Sequence, residues 1–187
     1  MQYYRVYDRD GNFKRIIEKE KESQLGDDEW LKGVTCFVIN EKGEVLIEKR
    51  VDKGITPGQL DLCSGHVDGN EIPTQAMIRE LKEELGIENQ EGMNVIKLTQ
   101  EELPLEFEGL GRTLNFFITP YCLKRNSSEV TIQEKEIEYI SWVPQEKCFE
   151  LIKANKMKFP SNYDYGDIFQ KVRNICDGKK INDNLER

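Results

Sequence analysis

Between Gly65 and Ile87 the chain reads G-HVDGN-E-IPTQAMI-RE-L-K-EE-L-G-I, and this stretch restricts the fold more than any other. Pro73 suits the first turn of a helix and Gly86 suits its end, which predicts a helix over 74–85. Glu80 stands three residues before Glu83 and four before Glu84, so the three carboxylates share one helix face. Arg79 stands four residues before Glu83, and Ile78, Leu81 and Leu85 recur at helical spacing on another face, which is expected in the core. Like charges at these spacings cost roughly a few tenths of a kcal/mol each on a surface. They cost more, and shift pKa values, where water is partly excluded. A hard divalent cation relieves that repulsion, and magnesium characteristically combines carboxylate oxygens with substrate phosphate oxygens. The loop before the helix suits this chemistry. Gly65 and Gly69 let the backbone approach closely, the Ser64 carbonyl at the strand end is a candidate metal ligand, and the helix N-terminus favours anions.

The flanks read as β-structure. Residues 4–7 and 13–17 alternate around Asp10-Gly11 and form a hairpin. Residues 18–29 are a charged connection or short helix. Residues 33–39 are a buried strand by their β-branched and aromatic content, and 44–50 are its antiparallel partner across the turn at Asn40–Gly43. A loop over 51–59 leads to a short strand over 60–64. Beyond the helix, 95–108 mix strand and loop, a glycine turn follows at 109–111, and 112–123 and 137–143 are strands. Helices are expected from Pro144 to about Asn155 and over 165–177, then a polar, fraying tail over 178–187. Strands joined by hairpins and mixed with helices give an α+β fold, an α/β/α sandwich with a mixed sheet between helices. The expected division is a hairpin and connection over 1–30 packed on a main domain over 31–187.

At 187 residues the chain suits one domain with at most a small appendage. No apolar run reaches the roughly 20 residues of a membrane span, and the first residues hold no apolar signal segment, so a cytoplasmic protein is expected. A net charge of -8 argues against a nonspecific nucleic-acid or membrane-surface binder. It leaves room for a small anionic substrate bridged by divalent cations. Five cysteines without a C-x-x-C read as reduced thiols rather than disulfides or structural zinc. A single histidine, His66, removes mechanisms built on histidine pairs.

Gly65, five residues, Glu71, seven residues and then Arg79-Glu80-Leu81-Lys82-Glu83-Glu84-Leu85-Gly86-Ile87 resemble the Nudix box at every specified position. By average residue usage a chance match in a chain this long is on the order of one in a million. The resemblance implies a Nudix fold and hydrolysis of a diphosphate linkage, typically in a nucleoside diphosphate joined to another group, with Mg2+ or Mn2+. It implies that Glu80, Glu83 and Glu84 bind metal, that Arg79 orients them and that Glu71 supports the loop. The general base is Glu80 or a later glutamate, with Glu136 as the candidate and Glu134 and Glu138 as rivals. Arg50 and Arg112 are candidates for phosphate oxygens, and Gly65 for close approach to substrate.

Lys49-Arg50, Asp52-Lys53, Pro57-Gly58, Leu60-Asp61 and Gly65-His66 are also similar to isopentenyl-diphosphate isomerases, in outer sequence. Those enzymes place a cysteine directly before the Gly-His pair. Here Ser64 stands there, and Cys63 lies one residue early, where an extended strand turns it to the opposite side. It is expected to be buried and inert, and His66 to be a loop residue bonded to backbone. Phe116, Phe117 and Tyr121 are expected in the core, and Tyr163–Tyr165 have no spacing that assigns them a role. Hydrolysis is therefore the leading reading. A noncatalytic ligand-binding module and the isomerase are the alternatives, and a homodimer is expected because two-fold dimers are the commonest oligomers.

Overall fold

The computed structural model describes residues 3–52, 58–89, 93–109, 112–160 and 163–179, with the side chains of 109 and 112 excepted. The expected tail over 180–187, Gly54 and Pro57 of the loop, and the turn residues 110 and 111 lie outside them. The strands are β1 (Tyr3–Tyr7), β2 (Phe13–Glu18), β3 (Trp30–Ile39), β4 (Glu44–Arg50), β5 (Leu60–Asp61), β6 (Cys63–His66), β7 (Val95–Lys97), β8 (Leu103–Gly109), β9 (Arg112–Lys124) and β10 (Ile137–Pro144). The helices are α1 (Pro73–Leu85), α2 (Gln145–Lys153) and α3 (Gly166–Cys176), and a 3-10 turn runs over Lys19–Gln24.

β3 is the spine. One of its edges pairs in parallel with β9 from Trp30↔Asn115 to Ile39↔Lys124. The other edge is shared in succession by β1 at Tyr7↔Trp30, β6 over Gly33–Cys36 and β4 at Ile39↔Val45. β1 carries β2, β4 carries β5 and β10, and β9 carries β7 and β8, all antiparallel. The sheet is therefore mixed, as expected. β3 begins three residues earlier than the sequence pattern suggests, because Trp30, Leu31 and Lys32 gain partners from distant segments.

Alternation along the strands makes two cores. Leu31, Phe37 and Ile39 of β3 join Val45 and Ile47 of β4 under α2 and α3, through Phe149, Ile152, Phe169 and Val172. Val34, Cys36 and Val38 join Leu46 and Cys63 under α1, through Met77, Leu81 and Leu85. The period of two along a strand produces this split, and each helix stripe seals one face. The core side of α1 is Met77–Leu81–Leu85 rather than Ile78–Leu81–Leu85. Ile78 is only half-buried, and Glu80 and Glu84 are buried in its place.

Two local features set the position of the site. The expected strand over 60–64 breaks at Leu62 into β5 and β6, which pair with different partners, β4 and β3. α1 opens on Pro73, with the Gln75 side chain accepting the Ile72 N–H at 3.1 Å. It closes on Gly86 at φ 63°, where the Gly86 N–H donates to the Lys82 carbonyl and the Ile87 N–H to the Leu81 carbonyl. A Cβ at Gly86 would also meet the Thr131 side chain at 2.9 Å.

Candidate active site

α1 lies across β6, and the contact point is Gly65. A Cβ there would lie 2.0 Å from Glu80 Oε1, so the carboxylate of Glu80 occupies the space that any other residue's side chain would need. The glycine that sequence reading assigned to close substrate approach thus first serves to admit Glu80.

Two arginines organise the acids. Arg79 forks onto Glu71 through Nε at 2.9 Å and Nη2 at 3.0 Å. Its Nη1 donates to Glu80 at 2.6 Å and Glu83 at 3.1 Å, and its Nη2 also donates to the His66 carbonyl at 2.9 Å. Glu71 accepts the Asp68 N–H at 3.0 Å, which ties the loop to this hub. Arg50, from β4, donates to Glu84 at 2.6 Å, Glu48 at 3.2 Å and Glu136 at 3.2 Å. Glu84 additionally accepts the Ser64 N–H at 3.2 Å. Planar guanidinium groups with five donors suit this bridging role.

The electrostatics follow burial. Glu80 is pushed up to about 8, first by desolvation and then by the Glu84 charge, against the pull of Arg79. Glu84 is also raised by desolvation, which outweighs Arg50. Glu48 is fully buried and pushed well up by desolvation and by Glu84 and Asp61. For Glu71 burial is outweighed by Arg79 and by the Asp68 N–H, and its carboxyl falls below the usual range. Burial drives the Cys63 thiol well up, in keeping with an inert cysteine.

A cavity of about 270 Å3 opens on this cluster. It collects Arg50, Ser64, Gly65, Arg79, Glu80, Glu83, Glu84 and Glu136 from the sequence-derived candidates. Glu71 stands behind Arg79, outside the lining. Glu136 keeps about half its side chain in solvent. Its rival Glu138 is turned toward Lys49 at 3.8 Å, away from the cavity. Arg50 is not a free phosphate ligand here, since its guanidinium is shared among three carboxylates. Arg112 begins β9, and its side chain lies outside the described residues.

Sequence reading missed Glu48 and Asp61. They face each other across the β4–β5 pair, both buried, although like charges directly opposite destabilise a sheet. Asp61 accepts from Ser64 Oγ at 2.9 Å and lies 3.6 Å from Lys158 Nζ. Among the described residues, Glu48 Oε2 is buried without a hydrogen-bond partner. A charged residue where the alternation of a strand demands an apolar one was the available signal. His66 ends β6 instead of standing in a loop. Its ring stacks on Tyr4 at 4.6 Å and its Nε2 faces Glu22 at 3.3 Å. Phe116 is buried as expected but also lines the cavity, whereas Tyr165 bonds the Pro160 carbonyl and stays in the core.

The donor set fits a divalent cation in kind. Among the described residues, Glu48, Asp61, Glu71, Glu80, Glu83, Glu84 and Glu136 gather around Arg50, Arg79 and Lys158, an excess of hard oxygen donors with one buried oxygen unpartnered. They do not yet converge. No three His, Cys, Asp or Glu side chains among the described residues lie close enough together to hold an ion as they stand. The arginines hold Glu80 and Glu84 in separate bundles.

Nucleoside triphosphatase NudI of Enterobacter sp. strain 638 is 29% identical over 136 residues, covering 67% of this chain and 92% of that protein. Nudix hydrolase 2 of Arabidopsis thaliana is 28% identical over 152 residues, 81% of this chain, which spans about half (49%) of that relative's length. The crystal structure of DR0079 from Deinococcus radiodurans superposes with a TM-score of 0.64 at 22% identity, covering 91% of this chain and 97% of that one, a likeness of fold. The NUDIX domain family model matches residues 30–163, and with the acid helix seated on Gly65 the chain belongs to the Nudix family.

Proposed function

We propose that this protein hydrolyses a diphosphate linkage in a small molecule, a nucleoside diphosphate derivative or a compound like it, with Mg2+ or Mn2+. The observation that carries the reading is the meeting of the Glu80–Glu84 face of α1, the Gly65 contact and two arginines at one cavity. Family relatives named as a nucleoside triphosphatase and as an RNA pyrophosphohydrolase, the latter from Hydrogenovibrio crunogenus, support it. Glu80, Glu83, Glu84 and the Ser64 carbonyl would hold the cation, which when bound polarises phosphoryl oxygens and lowers the pKa of water. Arg79 sets the directions of Glu80 and Glu83, and Glu71 fixes Arg79 from behind. Glu136, solvent-facing at the cavity rim, is positioned to accept a proton from water, with Glu80 as its rival for that role. Arg112, on sequence grounds, supplies positive charge for phosphate oxygens, Arg50 holds Glu84, Glu48 and Glu136 in place instead, and Gly65 lets substrate come close to backbone.

The isomerase reading lacks its cysteine: Ser64 Oγ is engaged by Asp61, and Cys63 is buried in the core under α1. We further propose that the enzyme is cytoplasmic and forms a homodimer. No helix among the described residues is long and apolar enough to cross a membrane. A panel of nucleoside triphosphates, sugar nucleotides, dinucleotides and an isoprenoid diphosphate, assayed with Mg2+ or Mn2+, tests the reading. Metal-dependent cleavage of some compound is expected, falling at least about 100-fold in Glu84→Gln. Binding without turnover would replace it with the ligand-binding module, and a shifted double bond with intact phosphates would replace it with the isomerase.

A further inference from the structure

A short strap over 157–160, after α2, lies against the acid cavity, and its neighbours fix its place. Met157 forms a parallel bridge with Leu60 of β5, and the Lys158 N–H donates to the Leu60 carbonyl at 2.8 Å. Met157 and Phe159 are buried in the core beneath α2 and α3, and Phe159 meets the Tyr165 ring edge-on at 5.7 Å. The Tyr165 hydroxyl donates to the Pro160 carbonyl at 2.9 Å. Between its two buried neighbours Lys158 keeps 25% of its side chain exposed. It lines both the acid cavity and a second cavity of about 400 Å3.

The arginines of the acid cavity are committed to carboxylates. Arg50 donates to Glu48, Glu84 and Glu136, and Arg79 donates to Glu71, Glu80 and Glu83. Lys158 differs. Its Nζ lies 3.6 Å from Asp61 Oδ2, an ion pair too long for a hydrogen bond. Asp61 is served by other donors, the Leu62 N–H at 2.8 Å and Ser64 Oγ at 2.9 Å. Among the described residues the Lys158 ammonium therefore keeps its hydrogen-bond donors free. Asp61 also joins it to Ser64, whose carbonyl is the candidate cation ligand. Lys19, the other lysine of the lining, stands over the Tyr4 ring at 5.7 Å instead.

We propose that Lys158 binds the phosphate group of the substrate that the divalent cation does not hold, and that Asp61 is its positioning residue. A phosphate beside this many carboxylates needs positive charge with donors to offer. Lys158 brings both, on a strap whose flanking side chains are locked in the core. The inference rests on the hydrolase reading for the diphosphate and adds the residue that takes its second phosphate.

Lys158→Gln removes the charge and leaves an amide for Asp61. For the compound that is cleaved, KM should rise about tenfold or more with kcat within about twofold, the effect of one lost charge-assisted hydrogen bond. KM should also depend less on ionic strength in this variant than in wild type. Lys158→Arg keeps the charge and should hold KM within about threefold of wild type. Lys156→Gln, exposed on the same side of α2 and lining only the second cavity, should behave as wild type. An unchanged KM in Lys158→Gln, or an equal rise in Lys156→Gln, would overturn the proposal. A lowered melting temperature and kcat with KM unchanged would make Lys158 a structural partner of Asp61 and overturn it too. A binding arm separates the two readings. Methylenebisphosphonate, whose bridging carbon prevents cleavage, is titrated calorimetrically with Mg2+ into wild type, Lys158→Gln and Lys156→Gln. Affinity about tenfold lower in Lys158→Gln alone is expected. That result sustains the phosphate contact even where the wild type cleaves nothing and the hydrolase reading fails. Equal affinities, or no binding to wild type, refute it.

Discussion

Gly65 shows how one residue couples fold to chemistry. Its missing side chain is the seat of the Glu80 carboxylate. Gly65→Ala is therefore expected to expel Glu80 from its place beside Arg79. The global cost should stay within about 1–3 kcal/mol, typical of overpacking, while hydrolysis falls by about 100-fold or more. Thermal melting and a kcat measurement on the same preparation check the pair of effects; an active variant would detach Glu80 from the reaction. At this scale the box was legible in the sequence, because its carboxylates and arginine are fixed by helical spacing, a local property. The reason for Gly65 was not, since it depends on the approach of α1 to β6. Glu48 and Asp61 were hidden for a similar cause. The alternation marks both as acids at inward-facing positions, but their partners, Arg50 for Glu48 and Lys158 for Asp61, come from segments distant in sequence.

Elements were legible where their signals are local. The hairpin of β1 and β2, the run of α1 from Pro73 to Gly86, and the long β9 follow from turn residues, caps and periodicity. α2 ends at Lys153, two residues short of expectation, and Asn155 follows with φ 54°. The break at Leu62 and the early start of β3 were not legible, because both follow from non-local pairing. The N-terminal hairpin is fastened by a fork from Arg15 to Glu29, at 2.9 and 2.7 Å. The Arg15 hydrogen bonds hold the Glu29 carboxyl down to about 2, against burial and with help from the Gly26 N–H. Its folded pKa lies below its unfolded value, so the unfolded chain binds more protons as the pH falls. The stabilisation is full above about pH 4.5 and is lost as pH drops through about 2. Because the Arg15 side chain is substantially exposed, we expect about 1 kcal/mol from the pair. Arg15→Gln should lower the melting temperature at neutral pH and flatten its acid dependence between about pH 4.5 and 2. An unchanged acid limb would show that the fork contributes nothing.

In the whole molecule, the sheet carries α1 on one face and α2 with α3 on the other, and the acid cluster lies where α1 crosses β6 and β4. A net charge of -8 and an anionic substrate are compatible only if positive charge enters between them. Arg50 and Arg79 supply part of it and currently hold the acids apart. We propose that a divalent cation takes those carboxylates in common. The most direct measurement is a Mn2+ titration followed by loss of the free-ion EPR signal, on wild type, Glu80→Gln and Glu83→Gln. Wild type is expected to bind Mn2+, with affinity reduced at least about tenfold in each variant. Equal Mn2+ binding by all three proteins would show that Glu80 and Glu83 do not hold the ion.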